Sequence, residues 1–145
     1  MDPAEQLGRQ PDDAAPKRKP GGPVSRTFTL EEARALLPDV QDKAREFISL
    51  RADVTEVAAA MNAGARSSLG GMPEVKGWEA RLHELIEWFV DKGLEPKGLA
   101  PLLLDFPSEI GGEPALLCWL EGESELAWWH RPEHGFGGRR PIALS

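Results

Sequence analysis

Val40, Phe47, Val54 and Met61 recur at seven-residue intervals, and Leu50 and Val57 follow the middle two by three residues. Such an a/d stripe over about three heptads fits one side of an α-helix and cannot be accommodated by a period of two. A second segment, Val75, Trp78, Leu82, Leu85 and Phe89, places apolar residues three and four apart. Each seam is too narrow to be buried alone, so the two helices are expected to pack as a long antiparallel hairpin. The same heptads suit a coiled-coil homodimer. Asn62 to Met72, rich in glycine and serine, connects the helices, and Gly93 supplies the C-terminal stop of the second. Ile86 and Trp88 widen the apolar face of that helix, so another element must cover them.

The helical part begins at Thr29-Leu30-Glu31-Glu32, where Thr29 and Glu32 have the spacing of a capping box. Pro38 has no amide donor and disfavours α conformation at Leu37. The expectation is a short helix over 30–37, then a longer one with Pro38 in its first turn. Residues 1–26 carry five of the thirteen prolines, many charges and almost nothing apolar. A segment of that composition cannot offset its ordering entropy by burial and reads as a disordered tail. Lys17-Arg18-Lys19 within it could touch an acidic partner or nucleic acid, but in a charge-balanced tail it is expected to be only solubilising. The folded domain is therefore set at 27–145, divided into a helical hairpin over 27–93 and a β-meander with a C-terminal loop over 94–145.

Beyond Gly93 the helical period disappears. Leu102 to Phe106, Ala115 to Leu120 and Glu125 to Trp129 read as three short antiparallel strands, joined by turns over 108–113 and 121–124. The fold class is α+β. Leu116, Cys118 and Leu120 alternate with Leu117 and Trp119, and Leu126 and Trp128 with Ala127 and Trp129, so both faces of the meander are apolar. Both need cover, from the helices on one side and from the C-terminal loop or another subunit on the other.

The chain has 24 acidic and 17 basic residues, and the first 26 hold four acids and five bases. From Thr27 onward twenty acids face twelve bases, a balance of about -8 that repels phosphate backbones and argues against nucleic-acid binding. No apolar run approaches the ~20 residues needed to span a bilayer, and no signal peptide is evident, which points to the cytoplasm. Cys118, the single cysteine, cannot form an internal disulfide and lies in an apolar strand, where it reads as a buried, inert thiol.

The polar residues that could carry chemistry gather around the last strand. His130, Glu133 and His134 lie within five residues, and His-x-x-x-His suits two metal ligands on one helical turn. Pro132 and the glycines at 135, 137 and 138 oppose that helix, so no metal and no cofactor is expected, with His130 and His134 as the weak candidates. The plainer reading has His130 ending a strand and bonding a backbone carbonyl or a carboxylate, with His134 exposed. Asp105 closes an apolar run and is expected to cap the following turn or to act as a base. Arg139 and Arg140 are expected to pair with Glu133, Asp105 or Glu109. Trp119, Trp128 and Trp129 supply core filling, with any remainder available as a binding surface. Nucleophile elbows, phosphate loops and dinucleotide fingerprints are absent.

Taken in order, Phe28-Thr29-Leu30-Glu31-Glu32-Ala33 with Leu36-Leu37-Pro38, Asp105-Phe106-Pro107, Leu117-Cys118-Trp119 with Gly122-Glu123, and Trp129-His130 with Gly135-Phe136 and Gly138-Arg139-Arg140-Pro141 resemble the bacterial family called domain of unknown function 2203. The resemblance runs from about Thr27 to Ile142. It implies a small helical-hairpin protein and singles out Asp105, Trp119, His130, Gly135, Phe136 and Arg139, without an activity to carry over. Two readings follow. In the first the chain is a non-catalytic interaction or accessory module that binds a protein partner or a second copy of itself through the heptad seam and the surplus tryptophans. In the second it is a metal- or small-ligand-binding protein or an enzyme, with Asp105, His130, Glu133 and Arg139 at the C-terminal loop. The candidate binding residues are then Asp105, Trp119, Trp129, His130, Glu133, Phe136 and Arg139.

Overall fold

In the computed structural model, which describes residues 27–142, α1 (Leu30–Asn62) and α2 (Met72–Asp91) form a hairpin followed by five strands. The expected tail over 1–26, with Lys17-Arg18-Lys19, lies outside the described residues, as does 143–145. Arg81 on α2 meets Glu46 on α1, and Trp88 meets Lys43, so position decreases along one helix as it increases along the other and the pair is antiparallel. Val40, Phe47 and Val57 from the first stripe and Val75, Leu85 and Phe89 from the second are buried.

Thr29 caps α1 as the sequence indicates: its hydroxyl accepts from the Glu32 amide at 3.0 Å, and the Glu32 carboxylate accepts from the Thr29 amide at 2.9 Å. The expected break before Pro38 is absent, because α1 runs unbroken for 33 residues with Pro38 inside it. One backbone bond to the Arg34 carbonyl is lost there. Ala33, Leu37 and Val40 are buried on either side of the proline, and their packing holds the helix through the defect. Gly93 ends α2 at a φ of 97°, with the Leu94 amide bonded to the Phe89 carbonyl and the Gly93 amide to that of Val90. That double bond is a Schellman closure, and it turns the buried Leu94 back onto Phe89.

The sheet has five strands rather than three: β1 (Glu95–Leu99), β2 (Leu102–Ile110), β3 (Glu113–Leu120), β4 (Trp128–His130) and β5 (Arg140–Pro141), paired antiparallel in sequence order. β2 extends to Ile110, and the turn to β3 shrinks to Gly111-Gly112, both at positive φ, which a two-residue type I′ connection requires. Glu125 to Ala127 is not strand. That stretch is held to α1 instead, with Arg34 donating to the Leu126 carbonyl and Gln41 to those of Glu123 and Ser124. Leu126 thereby enters the core.

Leu104 opposes Trp119 and Phe106 opposes Leu117, so these four share the face turned to the helices, with Leu102, Phe28, Leu85 and Phe89 packed against them. The Phe28 ring meets Phe106 edge-on at 5.4 Å. The opposite face carries Asp105, Leu116, Cys118, Trp128 and His130. Arg51 joins the middle of α1 to the β1–β2 turn: its guanidinium forms a forked pair with Glu121 at 2.7 and 2.9 Å and donates to the Leu99 carbonyl, while Glu121 also accepts from the Leu102 amide.

Replacing the exposed Pro38 with alanine restores a helix donor, and we expect on the order of 1–3 kcal/mol of added stability in chemical denaturation, a gain that would be absent if the packing had adapted to the ring. The Arg51 guanidinium holds the Glu121 carboxyl below the usual carboxylate range, so its stabilising effect is fully present above that range and is lost as pH falls through it. Glu121→Gln should therefore lower neutral-pH stability by roughly 1–3 kcal/mol, with the gap to the parent chain narrowing below about pH 4.

Candidate functional site

Three strands bring together Asp105, Cys118 and His130. Asp105 lies in the middle of β2, not at its end, and faces Cys118 directly across the ladder; Cys118 in turn faces Trp128 on β4. His130, two residues beyond Trp128, shares that face because side chains alternate along a strand. One ligand atom from each of the three residues lies within 4.8 Å of the other two, and all three residues are buried. The expected role of Asp105 as a turn cap is thus replaced by a place in the sheet interior.

The hydrogen bonds fix where a proton resides. His130 Nδ1 lies 2.8 Å from the Arg131 carbonyl oxygen, which can only accept, so Nδ1 carries hydrogen. Nε2 lies 3.1 Å from Asp105 Oδ2, and one further proton must occupy that contact. The pair is imidazolium with carboxylate or imidazole with carboxylic acid. Lys97 Nζ lies 3.5 Å from the same Oδ2. Lys97 reaches it because the β1–β2 register shifts between Pro96 and Gly98, and such a bulge re-aims the side chain at the shift. Asp105 Oδ1 is buried and has no hydrogen-bond partner. Burial, and after it the negative charge of Asp105, pushes the Cys118 thiol up to about 12, so the sulfur is protonated in this setting.

Arg139 does not join the cluster by hydrogen bonding. Its Nη2 donates to both carboxylate oxygens of Glu123 at 2.9 and 2.8 Å, so its partner is none of the three acids expected from the sequence. The β3–β4 connection folds Glu123 back, where it also accepts from the Leu120 amide. The guanidinium lies over Trp128 at 4.9 Å and Phe136 at 4.7 Å, which brings the C-terminal loop across the outer face. Glu133 and His134 are exposed in the turn after β4, away from the cluster. Trp119 belongs to the core and donates its indole N–H to the Glu123 carbonyl. Trp129 is half-buried, with Arg131 and Arg140 over its ring at 4.8 and 5.3 Å.

Cys118, Lys97 and Glu123 are the members that sequence reasoning missed. The alternation over Ala115–Leu120 placed Cys118 on a face with Leu116, but only the β2–β3 register sets it opposite Asp105. A separate half-open cavity of about 700 Å3 lies between the start of α1 and the sheet, lined by Phe28, Leu30, Ile110, Leu117, Trp129 and Arg140 among others. It does not include the three-residue cluster. Among the described residues no helix is long and apolar enough to cross a membrane.

The chain matches the family described as Uncharacterized conserved protein (DUF2203) over residues 26–142, and it belongs to that family. No curated protein and no solved structure matches it.

Removing His130 would leave the buried Asp105 carboxylate without its main partner, whereas removing both leaves neither charge. We expect His130→Ala to destabilise by about 3–5 kcal/mol, and Asp105→Ala/His130→Ala to cost less than the sum of the single changes. Additive effects in denaturant titrations would contradict the coupling.

Proposed function

We propose that this protein is a non-catalytic interaction module in which a two-layer head of sheet and helix bases presents the distal end of the hairpin to a partner. The observation that carries this reading is a division of labour along α1. Its residues up to Phe47 and Leu50 belong to the core shared with the sheet, and those after Arg51 do not. The last twelve residues, 51–62, span about 18 Å. There Val57 is buried, as is Val75 on α2, while Met61, Leu69 and Met72 stand exposed on either side of the connection. Methionines are unbranched and adaptable, which suits a surface that must fit another protein.

Asp105, His130 and Arg139 do not present an open surface site for a small-molecule ligand. Asp105 and His130 are turned inward on each other, and Arg139 is taken by Glu123. The alternative, a ligand-binding protein or enzyme using Asp105, His130, Glu133 and Arg139, draws on the Asp105–His130 contact. It lacks convergence of the other two, since Glu133 is exposed and Arg139 is engaged elsewhere.

A photo-crosslinking residue placed at Leu69 and expressed in the native cell should give one discrete product, of twice the chain mass if the partner is a second copy. Met61→Glu/Met72→Glu should abolish that product while changing stability by no more than about 0.5 kcal/mol, as expected at exposed sites. No product at Leu69, or the same product from a control at the exposed Glu109, would sink the reading.

A further inference from the structure

We propose that Asp105, Cys118 and His130 bind one divalent transition-metal ion of zinc type, which ties β2, β3 and β4 together beneath the side chain of Lys97. The inference is independent of the interaction reading above. Its first support is convergence: thiolate, imidazole and carboxylate donors come from three adjacent strands and share one face. Atoms bound to one zinc at about 2.0–2.3 Å lie roughly 3.3–3.8 Å apart in a tetrahedron. Nε2 and Oδ2 are already at 3.1 Å, and no pair in the cluster exceeds 4.8 Å, so closing onto an ion needs shifts of about 1 Å.

The second support is the state of the donors. His130 donates its Nδ1 hydrogen to the Arg131 carbonyl, the outer hydrogen bond that orients a ligating imidazole and directs Nε2 at the metal. Asp105 Oδ1 is buried with no partner, so a carboxylate lone pair is unspent within the sheet. The third is donor softness. A set containing a thiolate and an imidazole prefers zinc or cobalt(II) over magnesium or calcium, which take oxygen ligands. The neighbouring cations are accommodated: Lys97 is exposed enough to swing away toward Glu95, its other partner at 3.2 Å, and Arg139 is neutralised by Glu123.

Uptake balances as a proton exchange. The ion replaces the proton held between Nε2 and Oδ2 and the proton on the thiol, so two protons leave for each ion bound. One carboxylate, one thiolate and one neutral imidazole then offset the double positive charge.

Cobalt(II) titration of the metal-stripped full chain tests this directly. A thiolate-to-cobalt charge-transfer band in the near ultraviolet, saturating at one ion per chain, can arise only from Cys118 because the chain has one cysteine. The chain has three histidines, and His83→Gln/His134→Gln removes the two exposed ones without touching the core. That variant should keep the band and bind cobalt within about twofold of the parent. Absence of the charge-transfer band in the parent chain, or its loss in His83→Gln/His134→Gln, would overturn the proposal.

Discussion

A carboxylate at the centre of a buried sheet face needs partners, and Asp105, 1% exposed, is that carboxylate. An isolated charge there would carry several kcal/mol of desolvation, which only close hydrogen-bonded partners offset. The outer layer is arranged around this need. His130 is held by the Arg131 carbonyl with Nε2 toward Asp105, and the bulge in β1 delivers Lys97 from the other side. The short β4 is useful chiefly because it places His130 and Trp128 beside β3.

Cover follows the same logic. The helix-facing side of the sheet is closed by apolar packing of α1 and α2, reinforced where Arg34, Gln41 and Arg51 donate to carbonyls of the connections. Among the described residues no α-helix covers the outer side. Arg139, stacked on Trp128 and Phe136 and neutralised by Glu123, carries the returning chain over it instead. A cation over an indole covers apolar area while its charge stays paired, which suits a face that contains both an aromatic ring and a carboxylate.

Much of the helical layer was legible in the sequence because a seven-residue period over three heptads has one geometric solution. Pro38 misled because its local penalty is easy to read, whereas the burial of Ala33, Leu37 and Val40 around it is a tertiary effect. β1 and β5 left no signal: Glu95-Pro-Lys-Gly-Leu has neither alternation nor β-branched residues, and Arg140-Pro141 is two residues long. Their pairing is imposed by the longer strands beside them. Asp105 and His130 stood out as residues, but their contact depends on register, and the role of Cys118 depends on it too. Glu123 was invisible as the partner of Arg139 because it sits in a turn whose path is set by α1.

Register is also where the buried polar group has its strongest structural consequence. A strand with one apolar face announces its pairing, since a slip of one residue would turn its hydrophobic side to water. β2 and β3 are apolar on both faces over Leu102–Phe106 and Ala115–Leu120, so that penalty is weakened for them. Asp105 restores it. Shifting β2 by one residue against its neighbours would bring the carboxylate among Leu117, Trp119 and Phe89, with no imidazole within reach. The favourable energy of the Asp105–His130 pair over an apolar substitute can be near zero, and the pair would still discriminate the native alignment from its neighbours by the cost of leaving a charge unpaired. A metal ion bound to the same three side chains would sharpen that discrimination, because only one alignment presents all three donors together.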